Sequence, residues 1–425
     1  MVARAGAVNS QSMMPARLLR LLGTTLVRCA YRFRRVHAAR LPKKAGVLLL
    51  PNHVSWADAL FISAACGRPV RFVMDEAMMR QPAVRWLVLL YETVPIRRDQ
   101  PREAIRSVIE ALNAGAVVCL FPEGQLTRTG TLSKLQRGFA LIASKAGHPL
   151  IPLWCDGVWG SIFSFERGRI LGKWPYPVFR HEIIAAFGEA IDPADATLPA
   201  VRHALLTAAA DAMAQRFQAP AWQTKVPRAG REAWQNLSPD ERRRGWVNGY
   251  QIGQLHALQR RDSFSALAGE LGTAGVPEAF QAFADLFKSP LVPRPESPIT
   301  GGSWVGGDRL RALLESATVA GPITFYDFSV RALEPLAVPG VRHCPCLANS
   351  GRVVAMSMPD PAKVPNLKDR QRGDKPGTWG KLLPGWFTAP DAAGKLRLHG
   401  PAAPAAGLSL PGCAVDDEGF VGPSA

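Results

Sequence analysis

Gly46-Val47-Leu48-Leu49-Leu50-Pro51-Asn52-His53-Val54-Ser55-Trp56-Ala57-Asp58 is an apolar run that breaks abruptly into polar residues. A short apolar run bounded by turn-forming residues reads as a buried strand feeding a loop. Residues 56–65 look helical, so His53 stands where the strand exits and Asp58 in the first turn or so of the helix. From there a carboxylate can reach one imidazole nitrogen and fix the tautomer, leaving the other nitrogen to take a proton. A histidine solvating a strand end beside an aspartate at a helix start has the same spacing without chemistry. The surrounding chain decides between these readings.

Working outward, Val70–Met74 and Thr93–Ile96 read as strands, and Trp86–Leu90 as the end of a helix. Pro101–Asn113 is a predicted helix, with Asp99 as N-cap and Gly115 as its stop. Ala116–Phe121 is a buried strand, and Lys134–Lys145 a helix closed by Gly147. Leu150–Cys155 and Ile183–Phe187 are further strands, and Leu198–Phe217 is an Ala-rich amphipathic helix that closes the domain. Strands alternating with helices indicate an α/β fold, a mostly parallel sheet flanked by helices. Residues 218–250 are polar and rich in Arg and Trp, and residues 251–288 look helical. Pro290–Gly307, with four Pro and four Gly, reads as a linker or loop. The remainder, about 303–425, is rich in Gly and Pro with short strand-like runs.

Open α/β sheets bind ligands at the carboxyl ends of their strands. Besides His53, two motifs stand at such ends: Phe121-Pro122-Glu123-Gly124 and Val94-Pro95-Ile96-Arg97-Arg98. Arginines there can pair bidentately with a phosphate, and Thr127 and Arg128 add to that capacity. Each alone is a solvated surface turn; three in one domain make coincidence a poor account.

The chain has 425 residues, enough for two or three domains. Its 47% hydrophobic and 20% charged residues exclude a wholly disordered protein. The net charge of +17 is concentrated: ten Lys and Arg, and no acid, precede Asp58. On a helix over residues 17–36, Leu18, Leu19, Leu22, Leu26, Cys29, Ala30, Phe33 and Val36 share one arc. Arg17, Arg20, Arg28, Arg32, Arg34 and Arg35 take the other side. The apolar runs are too short for a membrane span or a secretory signal. A helix lying in an anionic membrane interface, a mitochondrial transit peptide and a surface helix packed on the next domain all remain. The basic, strongly amphipathic pattern favours the first. The chain carries no nucleic-acid motif, and no row of aromatics interleaves with the basic residues, so no nucleic-acid partner is expected. Seven scattered cysteines read as reduced thiols in a cytosolic setting, with Cys66, Cys119 and Cys155 in apolar runs. His343-Cys344-Pro345-Cys346 lacks the second ligand pair of a zinc site, so no metal is expected.

In order, spacing and context, Asn52-His53…Asp58, Pro95-Ile96-Arg97-Arg98, Phe121-Pro122-Glu123-Gly124 and Leu150-Ile151-Pro152-Leu153 resemble the motifs of the glycerolipid acyltransferases, of lysophosphatidate type. The longer string from Phe121 to Gly130, then Gly138-Phe139, looks closer to the acyltransferase half of bacterial 2-acylglycerophosphoethanolamine acyltransferase/acyl-carrier-protein synthetase fusions. Glu92 stands where the family often has Gly. Arg97 and Arg98 are adjacent, and alignment to the motif's last residue picks Arg98. Gln125 replaces a common Arg, for which Arg128 can substitute. The resemblance implies the glycerolipid acyltransferase fold and direct transfer. His53, oriented by Asp58, would deprotonate a hydroxyl of a lysophospholipid or glycerol phosphate, which attacks the thioester of acyl-carrier protein or acyl-CoA. Arg97, Arg98, Glu123, Gly124 and Arg128 would hold the acceptor's phosphate end. The thioester is a co-substrate and no cofactor is implied. The chain has no Gly-x-Ser-x-Gly nucleophile elbow. The protein would work as a peripheral enzyme on the cytoplasmic face of a membrane.

Residues about 303–421 loosely resemble the second half of an adenylate-forming domain, through Trp304-Val305-Gly306-Gly307-Asp308, Phe325-Tyr326-Asp327-Phe328, Gly377–Gly385 and Asp416–Phe420. No phosphate loop ending in Lys-Gly precedes them, and Val330 stands where that family has Glu. This part is therefore expected not to adenylate fatty acids, but to be a degenerate structural or carrier-docking α/β domain. The expected organisation is a basic amphipathic membrane-associating segment at 1–45, an acyltransferase domain at 46–220, a helical connector and linker at 221–300 and the degenerate domain at 301–425. A catalytically inactive scaffold binding acyl chains or acyl-carrier protein is the competing expectation.

Overall fold

The computed structural model describes residues 10–80, 88, 91, 93–97, 101–161, 164–165, 181–228, 234–255, 264–267, 277–287, 289, 291–294, 299–316, 319–361 and 371–424. The helix end expected at 86–90 lies, apart from residue 88, outside the described residues, as do Asp99 and the candidate Arg98. The chain divides into two units. One comprises residues 1–124, 136–157 and 175–205; the other comprises 125–135, 158–174 and 206–425.

In the first unit seven strands form one sheet: β1 (Arg32–Val36), β2 (Val47–Pro51), β3 (Val70–Asp75), β4 (Val94–Ile96), β5 (Val117–Cys119), β6 (Leu150–Asp156) and β7 (Glu182–Phe187). Their order is β1-β7-β6-β2-β5-β3-β4, and every pairing is parallel except β6 with β7. Every residue of β2 and β6 is buried, which explains why both read as unbroken apolar runs rather than alternating ones. The helices α1 (Ser10–Ala30), α2 (Asp58–Cys66), α3 (Pro101–Asn113), α4 (Gly138–Ala146) and α5 (Leu198–Arg216) complete an α/β architecture. Gly67 and Gly147, both in left-handed conformation, stop α2 and α4.

One expectation changes here. The N-terminal helix ends at Ala30, and Arg32–Val36 is a strand paired in parallel with β7 from Arg32↔Glu182 to Val36↔Ala186. A sheet ladder with an Arg34–Glu182 ion pair at 3.2 Å replaces the last turns of the helical pattern. The outward side of α1 bears on the competing readings of this helix. Leu18, Leu21, Leu22 and Leu26 are each 57–69% exposed. The side toward the domain carries Val27, which is buried, and Arg28, whose guanidinium donates to Ala64 O at 2.5 Å. Tyr31 meets Phe61 edge-on at the helix end. The leucine row is therefore not the packing face. Helix α4 also starts later than expected, at Gly138 rather than Lys134, because Gln136 N donates to Pro122 O.

The second unit has its own sheet: β8 (Phe264–Leu267), β9 (Leu291–Arg294), β10 (Thr300–Gly306), β11 (Ala320–Asp327), β12 (Val341–Asn349), β13 (Arg352–Met356) and β14 (Lys381–Leu382). The order is β14-β13-β12-β11-β10-β8-β9. It is parallel from β9 to β12 and antiparallel beyond. The expected linker at 290–307 thus contains two strands. Pro293 is tolerated because β9 is an edge strand, and Gly302, at φ 120°, sits at a register shift in β10. The expected helix over 251–288 is likewise corrected: Phe264–Leu267 is a strand, and helices occupy Pro239–Gly253 (α6) and Pro277–Phe287 (α7). A Ser238/Glu241 capping box with Pro239 in the first turn starts α6 inside the stretch read only as polar. The Trp-rich composition there is core: Trp234 and Trp246 are fully buried in one cluster with the distant Trp386.

Asp327 ends β11 in a closed network. Arg311, on α8 (Asp308–Ser316), donates to Asp327 Oδ2 at 2.6 Å, and His343 Nε2 lies 2.8 Å from the same oxygen. Burial pushes the Asp327 carboxyl up, but hydrogen bonds from His343, Ser329 and Arg311 outweigh it and hold it below the usual carboxylate range. His343 thus turns to Asp327, while Cys344 and Cys346 lie buried in the core. Burial pushes Cys66 and Cys344 up to about 12, and Cys119, Cys155 and Cys346 well above a normal thiol. The thiolate is the reactive species. Alkylation of the native protein at pH 8 should therefore label exposed Cys29 first, Cys413 more slowly, and the other five only after denaturation. Peptide mass spectrometry reads this directly; rapid native labelling of Cys119 or Cys155 would contradict the packing of the first sheet.

Candidate active site

Three consecutive backbone amides follow β2, and each donates to a buried carboxylate. His53 N donates to Glu123 Oε1 at 2.8 Å, Val54 N to Asp58 Oδ2 at 2.8 Å, and Ser55 N to the same oxygen at 3.0 Å. Both carboxylate residues are 1% exposed. Asp58 opens α2, where the helix N-terminus favours a negative charge. Ser55 Oγ accepts from Ala57 N at 3.0 Å and steadies the turn between loop and helix.

Asp58 Oδ2 also lies 2.9 Å from His53 Nδ1. That oxygen already accepts two amides, and a carboxylate has no proton to give, so the imidazole donates through Nδ1 and keeps its lone pair on Nε2. The ring stacks on Phe121 with centroids 3.7 Å apart. Its side chain is 21% exposed, enough for Nε2 to meet a substrate. Asn52 anchors the residue before it. Pro51 has no N–H to give β6, and the Asn52 side chain continues the ladder: Oδ1 accepts from Cys155 N at 2.8 Å and Nδ2 donates to Cys155 O at 3.4 Å.

The structure brings His53, Asp58 and Glu123 together, with Phe121 and Asn52 as members whose roles the motif did not disclose. Gly124 follows Glu123 at φ 69°, and a Cβ there would lie 3.2 Å from Gln136 Cγ, so the tight turn calls for glycine. Arg97, just after β4, is half exposed and has its Nε 3.5 Å from Glu76 Oε2. Arg128 belongs to the second unit. It is 6% exposed, its amide donates to Gln371 Oε1 at 2.7 Å, its guanidinium lies over the Phe165 ring, and burial lowers its pKa.

A histidine made into an oriented base by a buried aspartate can deprotonate a hydroxyl. The segment that builds this site, residues 33–156, matches the family model described as Acyltransferase. A 1-acyl-sn-glycerol-3-phosphate acyltransferase of Pseudomonas aeruginosa is 30% identical over 117 residues, covering 27% of this chain and 45% of that protein. The chloroplastic 1-acyl-sn-glycerol-3-phosphate acyltransferase BAT2 of Brassica napus is 29% identical over 136 residues, 31% of this chain and 39% of its own. The chain thus spans less than half the length of these curated relatives. Among solved structures, the 1-acyl-sn-glycerophosphate (LPA) acyltransferase PlsC of Thermotoga maritima aligns with a TM-score of 0.34 at 21% identity, over 43% of this chain and 71% of that one.

The hydrogen bonds that follow β2 give both carboxylates a structural role. Asp58→Ala strands two buried amides and should lower stability by about 2–6 kcal/mol, since each unsatisfied donor costs ~1–3 kcal/mol. His53→Ala leaves both amides bonded and should cost less than half as much. Urea unfolding of the two variants checks the ranking; equal losses would contradict it.

Proposed function

We propose that the acyltransferase domain moves a fatty acyl group from acyl-carrier protein or acyl-CoA to a hydroxyl of a lysophospholipid or glycerol phosphate. The observation that carries this reading is the His53–Asp58 pair at the carboxyl end of β2, inside the matched segment. The acceptor O–H gives its proton to His53 Nε2 as its oxygen attacks the thioester carbonyl carbon. The tetrahedral intermediate collapses with loss of the C–S bond, and the imidazolium returns the proton to the leaving thiolate. The ester forms directly, with no acyl-enzyme and no metal or cofactor. The names of the relatives support lysophosphatidate as the acceptor. In this reading Arg97 and Arg98 serve its phosphate end, with guanidinium groups suited to bidentate pairing. Membrane contact is assigned to α1, catalysis to the first unit, and carrier docking to the second, a degenerate adenylate-forming-like unit to which residues 221–300 contribute strands and helices. We propose that the domain resembles the acyltransferase half of the bacterial acyltransferase/synthetase fusions.

The acceptor resides in a membrane, and α1 suits an interfacial position at its cytoplasmic face. Four exposed leucines stand on a helix flanked by arginines, an arrangement that buries apolar side chains among acyl chains and places cations near lipid phosphates. Leu18, Leu22 and Leu26 changed together to Gln should weaken binding to anionic phosphatidylglycerol vesicles at least tenfold in sedimentation, without altering the melting temperature. Unchanged binding would return α1 to a purely structural role.

The decisive assay for the reaction is transfer of radiolabelled acyl groups from each thioester donor to each lysolipid acceptor. His53→Ala should reduce transfer by about a thousandfold, within the range of a lost general base. Retained activity would refute the mechanism. Carrier binding by the wild type with no turnover on any acceptor would favour the inactive scaffold.

A further inference from the structure

We infer that Glu123 is a positioning residue for the base His53, and that its carboxylate does not bind the acceptor's phosphate. The inference rests on the acyl-transfer reading for its kinetic consequences, but its geometry stands apart from it.

A carboxylate is a poor phosphate ligand, because two anions at contact distance repel, most of all where water is excluded. Glu123 is also 1% exposed, and its Oε1 is committed to His53 N at 2.8 Å. That bond crosses between neighbouring strands. β2 and β5 pair in parallel through Leu49↔Cys119, and their ladder ends there; His53 and Glu123 each stand four residues beyond. The Glu123 side chain thus ties the two diverging strand exits together after the backbone ladder has stopped. Without it, the His53 amide would be left to find water, and the residue carrying the base would lose its fixed point on the β5 side. Asp58 controls the ring's Nδ1, and Phe121, from the same motif as Glu123, controls the ring's face. Gly124 and the Gln136 N to Pro122 O bond at 2.8 Å close the turn that presents Glu123. The whole Phe121–Gly124 motif therefore builds the seat of the base. Phosphate recognition falls to the basic side chains.

The two roles differ in what a substitution changes. Glu123→Gln keeps an acceptor oxygen for the His53 amide and removes the charge. Glu123→Leu removes the acceptor. Positioning predicts that Glu123→Gln retains at least a third of wild-type kcat, that Glu123→Leu loses about a hundredfold in kcat, and that the acceptor KM stays within twofold in both. A tenfold rise in acceptor KM with kcat preserved in either variant would overturn the inference. A measurement independent of turnover accompanies the kinetics: amide hydrogen exchange at His53 in the full-length protein labelled with 15N-histidine. Exchange should be slow in wild type and Glu123→Gln, and at least a hundredfold faster in Glu123→Leu, with melting curves confirming that each is folded. Equal exchange in wild type and Glu123→Leu would overturn the inference even if the chain transferred no acyl group. Loss of the acyl-transfer reading alone would leave this exchange pattern intact.

Discussion

Everything at the site depends on one constraint: the three amides that leave β2 have no strand to bond, and two buried carboxylates satisfy them. Buried backbone donors without partners are rare because each costs free energy comparable to a lost hydrogen bond. Glu123 and Asp58 meet that requirement for His53, Val54 and Ser55. Asp58 uses the same oxygen to hold His53 Nδ1. The fold is thus kept rigid where the chemistry needs rigidity, and a single carboxylate both closes the loop and sets the tautomer.

The legible part of the sequence was the part under strong local rules. Buried parallel strands announce themselves as apolar runs, so β2, β6 and β7 were readable, and α3 was readable to its ends at Pro101 and Asn113. His53 and Asp58 were readable as a pair because a loop-to-helix turn leaves few ways to arrange them. Other features depend on partners distant in sequence. Arg32–Val36 carries a helical pattern but pairs with β7, some 150 residues later, and only tertiary contact reveals it. The Pro- and Gly-rich stretch around β9 and β10 resembles a linker until an edge position and a register shift supply a place for those residues. Glu123 was noticed by its motif, yet its partner, a backbone amide seventy residues away, leaves no trace in side-chain chemistry.

The basic N-terminus had several readings in the sequence, a membrane-interface helix favoured over one packed on the next domain. The leucines are exposed, and Arg28 reaches a carbonyl of α2. Exposing four leucines on one helix disfavours a purely aqueous setting, since burial of one such side chain is worth about 2 kcal/mol. In the second unit, the Arg311–Asp327–His343 network and the buried tryptophans show a sheet with a packed core of its own. That core is built independently of the sheet that carries His53.

The central claim is that Asp58 fixes the tautomer of His53 so that Nε2 is the free base. Long-range 1H–15N correlation spectra of the imidazole, recorded with 15N-histidine at a pH where the ring is neutral, measure this directly. The account predicts a protonated Nδ1 and a pyridine-like Nε2 for His53, and loss of that pattern in Asp58→Ala. A proton on Nε2 of His53 in the wild-type protein would contradict it.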